Sequence, residues 1–208
     1  LDRGVVSLEG DRLAGLVAGD GVVHALEVTG DALALATHAV TGDGTLPRLS
    51  RRALTGTPPG GAVPLARRDD LLLVGAPQVQ AFDVSQPADP QPTWQRPLAA
   101  AHLAISASRV FVGTSERLQI YPRLPAGTDP GTPVQRKVLP RLNLVTGQGA
   151  VQVAQDHADR SVLWPVEVVD PTSPQLGAPF DTGVDGDLVV QGTLGAMVDL
   201  QGVLQLVD

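Results

Sequence analysis

Glu9, Asp70 and Asp187 stand beside the opening strand of an apolar run or at the turn after it. Glycoside cleavage needs two such carboxyl groups facing one bond, one protonated and one ionised. No spacing singles out a pair among the three, and exposed turns use Asp and Glu routinely. Asp181, Asp185 and Asp187 suggest a different chemistry. Residues 156–208 hold nine acidic side chains and a single base, Arg160, whereas residues 1–155 hold 13 acidic and 14 basic ones. These three aspartates are therefore the first candidates for a metal site. Calcium is the ion considered, because it takes about six to eight oxygen ligands. A solvated acidic face, or a docking face for a basic partner, accounts for the same density. The pieces Asp185-Gly186-Asp187 and Thr41-Gly42-Asp43-Gly44 lack the full calcium loop, and turn chemistry explains both.

Other catalytic patterns are missing. There is no Gly-x-Ser-x-Gly elbow, no His-Glu-x-x-His zinc helix and no Gly-x-x-x-x-Gly-Lys-Ser/Thr phosphate loop. The absence of cysteine removes a disulfide framework, a Cys-based zinc site and a thiol nucleophile. His24, His38, His102 and His157 fall on separate strand-like runs and read as isolated strand or surface histidines. No catalytic or cofactor-binding residue is assigned. The basic segment with Arg48, Arg51, Arg52, Arg67 and Arg68 lacks the interleaved aromatics of a single-strand binder. A net charge of −7 further argues against nucleic acid. Trp94 and Trp164 sit on predicted strands, where packing is a stronger reading than stacking on a sugar.

The elements that would position these residues are strands. Glycine (23) and proline (18) punctuate a chain of 208 residues that is 43% apolar, a balance that favours a packed fold over disorder. No apolar run approaches the roughly 18 residues that would span a membrane as a helix. No charged and apolar leader opens the chain, and a start at Leu1 reads as processing or as a fragment. Runs of about four to eight apolar-rich residues alternate with Gly, Asp and Pro breaks, which points to a sandwich, barrel or propeller.

Self-alignment separates these options. Gly61–Val84 holds a strand, a turn with a second strand and then a third strand, and with a fourth, Gln91–Leu98, it defines a four-strand unit. His102–Ser108, Val110–Gly113, Arg117–Tyr121 and Thr132–Leu139 repeat it. Ala150–Gln155, Ser161–Trp164, Val166–Asp170 and Gln175–Phe180 give another copy. Val5–Glu9, Arg12–Ala18, Val22–Val28 and Leu49–Thr55 form the first, with Gly30–Pro47 as an insertion. Asp187–Gln191, Gly195–Leu200 and Val203–Val207 form a last, three-strand unit. A period near 40 residues is that of propeller blades. The expectation is one all-β domain over residues 1–208. It is a propeller of about five four-stranded antiparallel blades, near 4–60, 61–100, 101–148, 149–183 and 184–208. The last blade lacks its outer strand, so a longer propeller, completed by more blades or another chain, is the alternative.

The strand and turn Val79-Gln80-Ala81-Phe82-Asp83-Val84-Ser85-Gln86-Pro87-Ala88-Asp89-Pro90 resembles the LVIVD repeat of bacterial and archaeal cell-surface propellers. Val166-Glu167-Val168-Val169-Asp170-Pro171-Thr172-Ser173-Pro174 is a looser copy. Leu118–Tyr121 keeps the strand but delays Asp129-Pro130, and Val203–Asp208 stops at the aspartate. Asp83, Ser85, Pro87, Pro90, Asp170, Pro171 and Pro174 are read as structural. Asp and Ser accept backbone N–H groups after the strand, and Pro ends the ladder. The resemblance implies a secreted or cell-surface protein. The expected function is a non-enzymatic binding or scaffold domain with a protein or glycan partner. A carbohydrate-active propeller using axial carboxylates is the enzymatic alternative.

Overall fold

The computed structural model describes residues 10–58, 60–114 and 117–133 with their side chains, and beyond them the backbone of the strands named below. Every described element is a strand and every pairing is antiparallel. The strands group into two compact units.

The first unit, residues 1–100 with 125–129, carries two sheets. Strands β1 (Arg12–Gly19), β2 (Val22–Thr29), β3 (Ala32–Ala39) and β4 (Arg48–Leu54) pair in chain order, as do β5 (Leu65–Arg68), β6 (Leu71–Val74), β7 (Val79–Asp83) and β8 (Gln91–Arg96). Asp20-Gly21 turns β1 into β2 with φ of 49° and 73°. Two positive φ values in a two-residue loop match the twist of the flanking strands, which is why Asp-Gly suits this hairpin.

The two sheets share one core. Leu26, Val28, Leu33 and Leu35 on β2 and β3 meet Leu72, Val74 and Phe82 from the second sheet and Val63 from the segment before β5. Burying side chains of this size contributes about 1.5–3 kcal/mol each. Glycine lets the leading strands β1 and β5 approach. A Cβ at Gly15 would lie 2.3 Å from Leu65 Cδ1 and 2.6 Å from the Val63 carbonyl oxygen. The Val63 N–H donates to the Ala14 carbonyl across this seam at 2.7 Å.

The second unit, residues 101–124 with 130–208, carries three sheets. Strands β9 (His102–Ile105), β10 (Arg109–Gly113), β11 (Arg117–Pro122) and β12 (Val134–Lys137) form one. Strands β13 (Leu142–Thr146), β14 (Val151–His157) and β15 (Arg160–Glu167) lead the next, with the short β16 (Gln175–Leu176) and β17 (Phe180–Asp181) both pairing with β15. Strands β18 (Gly186–Gln191), β19 (Leu194–Asp199) and β20 (Leu204–Val207) form the last, three-stranded among the described residues. Here too a leading strand packs beside the next leading strand, β9 beside β13 and β13 beside β18.

Three assignments of strands differ from the sequence reading. Gly30–Pro47 is not an insertion: it contains β3, paired with β2 along eight positions. Alanine-rich Ala-Leu-Ala-Leu-Ala has weak strand propensity, yet the small side chains suit a strand buried on both faces. Four described strands make the first sheet, and Val5–Glu9 lies outside the described residues. Ser161–Trp164 and Val166–Asp170 were expected as separate strands, but β15 runs unbroken through Pro165. Its outer neighbour is split at that point: β17 pairs with Val162 and Leu163, and β16 with Val166 and Glu167. A proline, which lacks a ladder donor, falls at the gap. Leu142–Thr146 opens the fourth sheet, ahead of the run expected to begin it.

Candidate functional site

The candidate residues from the sequence are scattered over turns and strand ends. Asp70 lies in the β5–β6 turn, exposed, and its carbonyl accepts the Val84 N–H at 2.8 Å. Glu9, Asp170, Pro171, Pro174 and Asp185 lie outside the described residues. Asp181 on β17 and Asp187 on β18 are placed by backbone only, Asp187 opposite Val198. Among the described residues no three His, Asp or Glu side chains converge as a metal would require.

The turn after β7 is built by its own side chains. The Ser85 N–H donates to Asp83 Oδ1 at 2.9 Å, closing the chain over the end of the strand. The same turn rests on β4, where Ser50 Oγ donates to the Pro87 carbonyl at 3.2 Å and Arg52 approaches Asp89 at 3.5 Å. On β8 the Arg96 guanidinium lies 5.1 Å from the Trp94 ring centroid and pairs with Asp129 through two nitrogens. The ring of Trp94 is therefore buried under a cation. In the Thr41–Thr45 turn, Asp43 Oδ1 accepts from Thr41 Oγ1 at 2.5 Å and from the Thr45 N–H at 3.0 Å. These bonds favour the ionised carboxylate and lower its pKa to about 2.

Sequence reasoning missed the polar groups inside the first sheet. His24, Glu27, Thr37 and His38 are all buried, on β2 and β3. They divide between the two faces by strand alternation. Glu27 and His38 share a face with Ala25, Ala34 and Ala36, and these small neighbours leave room for long side chains to cross the sheet. Arg51 Nε donates to Glu27 Oε2 at 3.1 Å, and His38 Nδ1 lies 3.1 Å from the Leu46 carbonyl oxygen. Glu27 Oε1 and His38 Nε2 stand 4.0 Å apart, each without a hydrogen bond.

His24 and Thr37 share the opposite face, with Leu26 and Leu35. Thr37 Oγ1 lies 3.1 Å from His24 Nδ1. Burial, and next the charge of Arg67, push the His24 pKa from 6.5 to about 4, so the ring is neutral at pH 7. Burial also lowers His102, at the start of β9. A signal for His24 was present: it alternates with Leu26 and Val28, and so belongs to the inward face of its strand.

No protein-family model matches the chain, and no curated protein matches it. Solved structures do. A protein from Lactobacillus plantarum superposes with a TM-score of 0.65 at 12% identity, covering 99% of this chain and 72% of its own. A candidate 6-phosphogluconolactonase from Bacteroides uniformis gives 0.66 at 12% identity, covering 95% and 66%. A functionally unknown protein from Desulfotomaculum acetoxidans gives 0.64 at 13% identity, covering 98% and 71%. At such identities the likeness carries the fold alone, and that fold is β-propeller-like. The chain spans about two thirds to three quarters of the length of these neighbours.

Proposed function

We propose that this chain is a non-enzymatic β-propeller domain of about five blades that works as a binding scaffold in a secreted or cell-surface protein. One observation supports the reading most directly: four of the described side chains suited to acid–base work take part in holding the fold. Glu27 is paired with Arg51, Asp83 closes a turn, Asp43 is held by its own loop, and His24 is packed in the core. The Asp83–Pro90 turn, read as an LVIVD-type repeat, supports a cell-surface setting. A protein or glycan is the partner class that fits, because propellers present loops on a rigid frame.

A second reading is a blade set within a larger propeller assembly. It is favoured by the share of the neighbours' length that the chain spans. Binding of the immobilised 208-residue chain to an array of defined bacterial and host glycans, and to basic and acidic proteins, tests the first reading. Saturable retention of one class without its chemical alteration is the expected result. Turnover of any array glycan would overturn it.

A further inference from the structure

The seam between the first two sheets holds an unusual pair. His24 on β2 is fully buried and faces the second sheet. Its Nδ1 is occupied by Thr37, while its Nε2 has no hydrogen-bond partner. Arg67 on β5, with its side chain only 6% exposed, reaches the Gly19 carbonyl on β1, and Gly19 stands opposite Val22, two residues before His24 on β2. One Arg67 nitrogen donates to the Gly19 carbonyl and another to Asp20 Oδ2 at 3.0 Å. Its Nε has no partner. The guanidinium lies against Gly19: a Cβ there would stand 2.8 Å from Arg67 Nη1.

We propose that His24 and Arg67 form an acid-operated latch on the β1–β5 seam, closed while the imidazole is neutral and released when it takes a proton. The balance of charge decides this. Around His24, β1 presents Val17 in register, β3 presents Thr37 and β6 presents Leu72 on the shared face. Among the described residues, the charged groups there are Arg67 from β5 and Asp20 from the β1–β2 turn. His38 and Glu27 belong to the other face of the sheet. Asp20 is exposed and already engaged with Arg67. A proton on His24 therefore creates a second buried cation beside the first, with an N–H that has no acceptor in place.

Linkage fixes the direction. The folded pKa lies below the unfolded one, so the latch costs nothing above about pH 6.5. Stability falls as pH drops from 6.5 towards about 4, because the open chain takes up the proton first. The latch is independent of what the scaffold binds.

Urea unfolding of the 208-residue chain at pH 7.5 and 4.5 tests the latch, beside His24→Gln and Arg67→Met. The wild-type unfolding constant should rise by a factor on the order of tens between the two pH values through His24 alone. His24→Gln should remove that part of the rise, and Arg67→Met should reduce it. Amide exchange should increase at Leu16–Gly19 before Leu71–Val74. Should the variants not fold, the imidazole titration of wild-type His24 by NMR decides. A pKa well under 6 supports the latch. An ordinary pKa, or an unchanged rise in His24→Gln, overturns it.

Discussion

In the second sheet, β6 is Leu71-Leu72-Leu73-Val74, buried on both faces and wholly apolar. In the first, the adjoining strands β2 and β3 are twice as long and set His24, Glu27, Thr37 and His38 among alanines and leucines. Both sheets contribute to one core. At β6 the gain comes from area removed from water, which needs no particular protonation state; the polar groups of that sheet, Gln80 and Arg67, lie on β7 and β5. The first sheet adds buried polar groups, each of which costs free energy when its partner is lost. The contrast shows where this fold depends on polar partners and where it depends on packing.

Substitutions at the two sheets should therefore behave differently. Leu72→Ala is expected to have the largest effect, a loss of about 2–5 kcal/mol in urea unfolding, with little change between pH 7.5 and 5. Glu27→Gln should cost less, about 1–3 kcal/mol. Arg51 is 36% exposed and can regain water when the pair is lost, while the buried amide remains poorly served. A Glu27→Gln loss equal to that of Leu72→Ala would erase the contrast. Arg52→Ala should be the mildest, under about 1 kcal/mol and vanishing in high salt, because its contact with Asp89 is 3.5 Å long and solvated.

The sequence disclosed the second, third and last sheets well, and the reason is local. Arg68-Asp69-Asp70-Leu71 and Ser106-Ala107-Ser108-Arg109 mark tight turns between short apolar runs, and their strands fall where the breaks place them. The first sheet was harder. Alanine carries little strand signal, so Ala32–Ala39 falls in the expected insertion and the strands Arg12–Ala18 and Val22–Val28 are each placed one position too late, while Leu49–Thr55 matches β4. That displacement also hid the polar interior, because His24, His38 and Glu27 acquire meaning only when β2 is known to pair with β3. In the fourth sheet Pro165 read as a strand end, and only the split outer strand explains its place within β15. The Arg67 contact with Gly19 joins residues 48 positions apart and leaves no local mark.

On the proposed reading, carboxylates such as Glu27, Asp43 and Asp83 serve the frame and not a reaction. The most direct test of that reading is a turnover assay of the purified 208-residue chain on a panel of α- and β-linked chromogenic glycosides at pH 5 and 7, with Asp70→Asn as control. The account predicts release indistinguishable from buffer for both proteins. Saturable hydrolysis by the wild type that disappears in Asp70→Asn would contradict it.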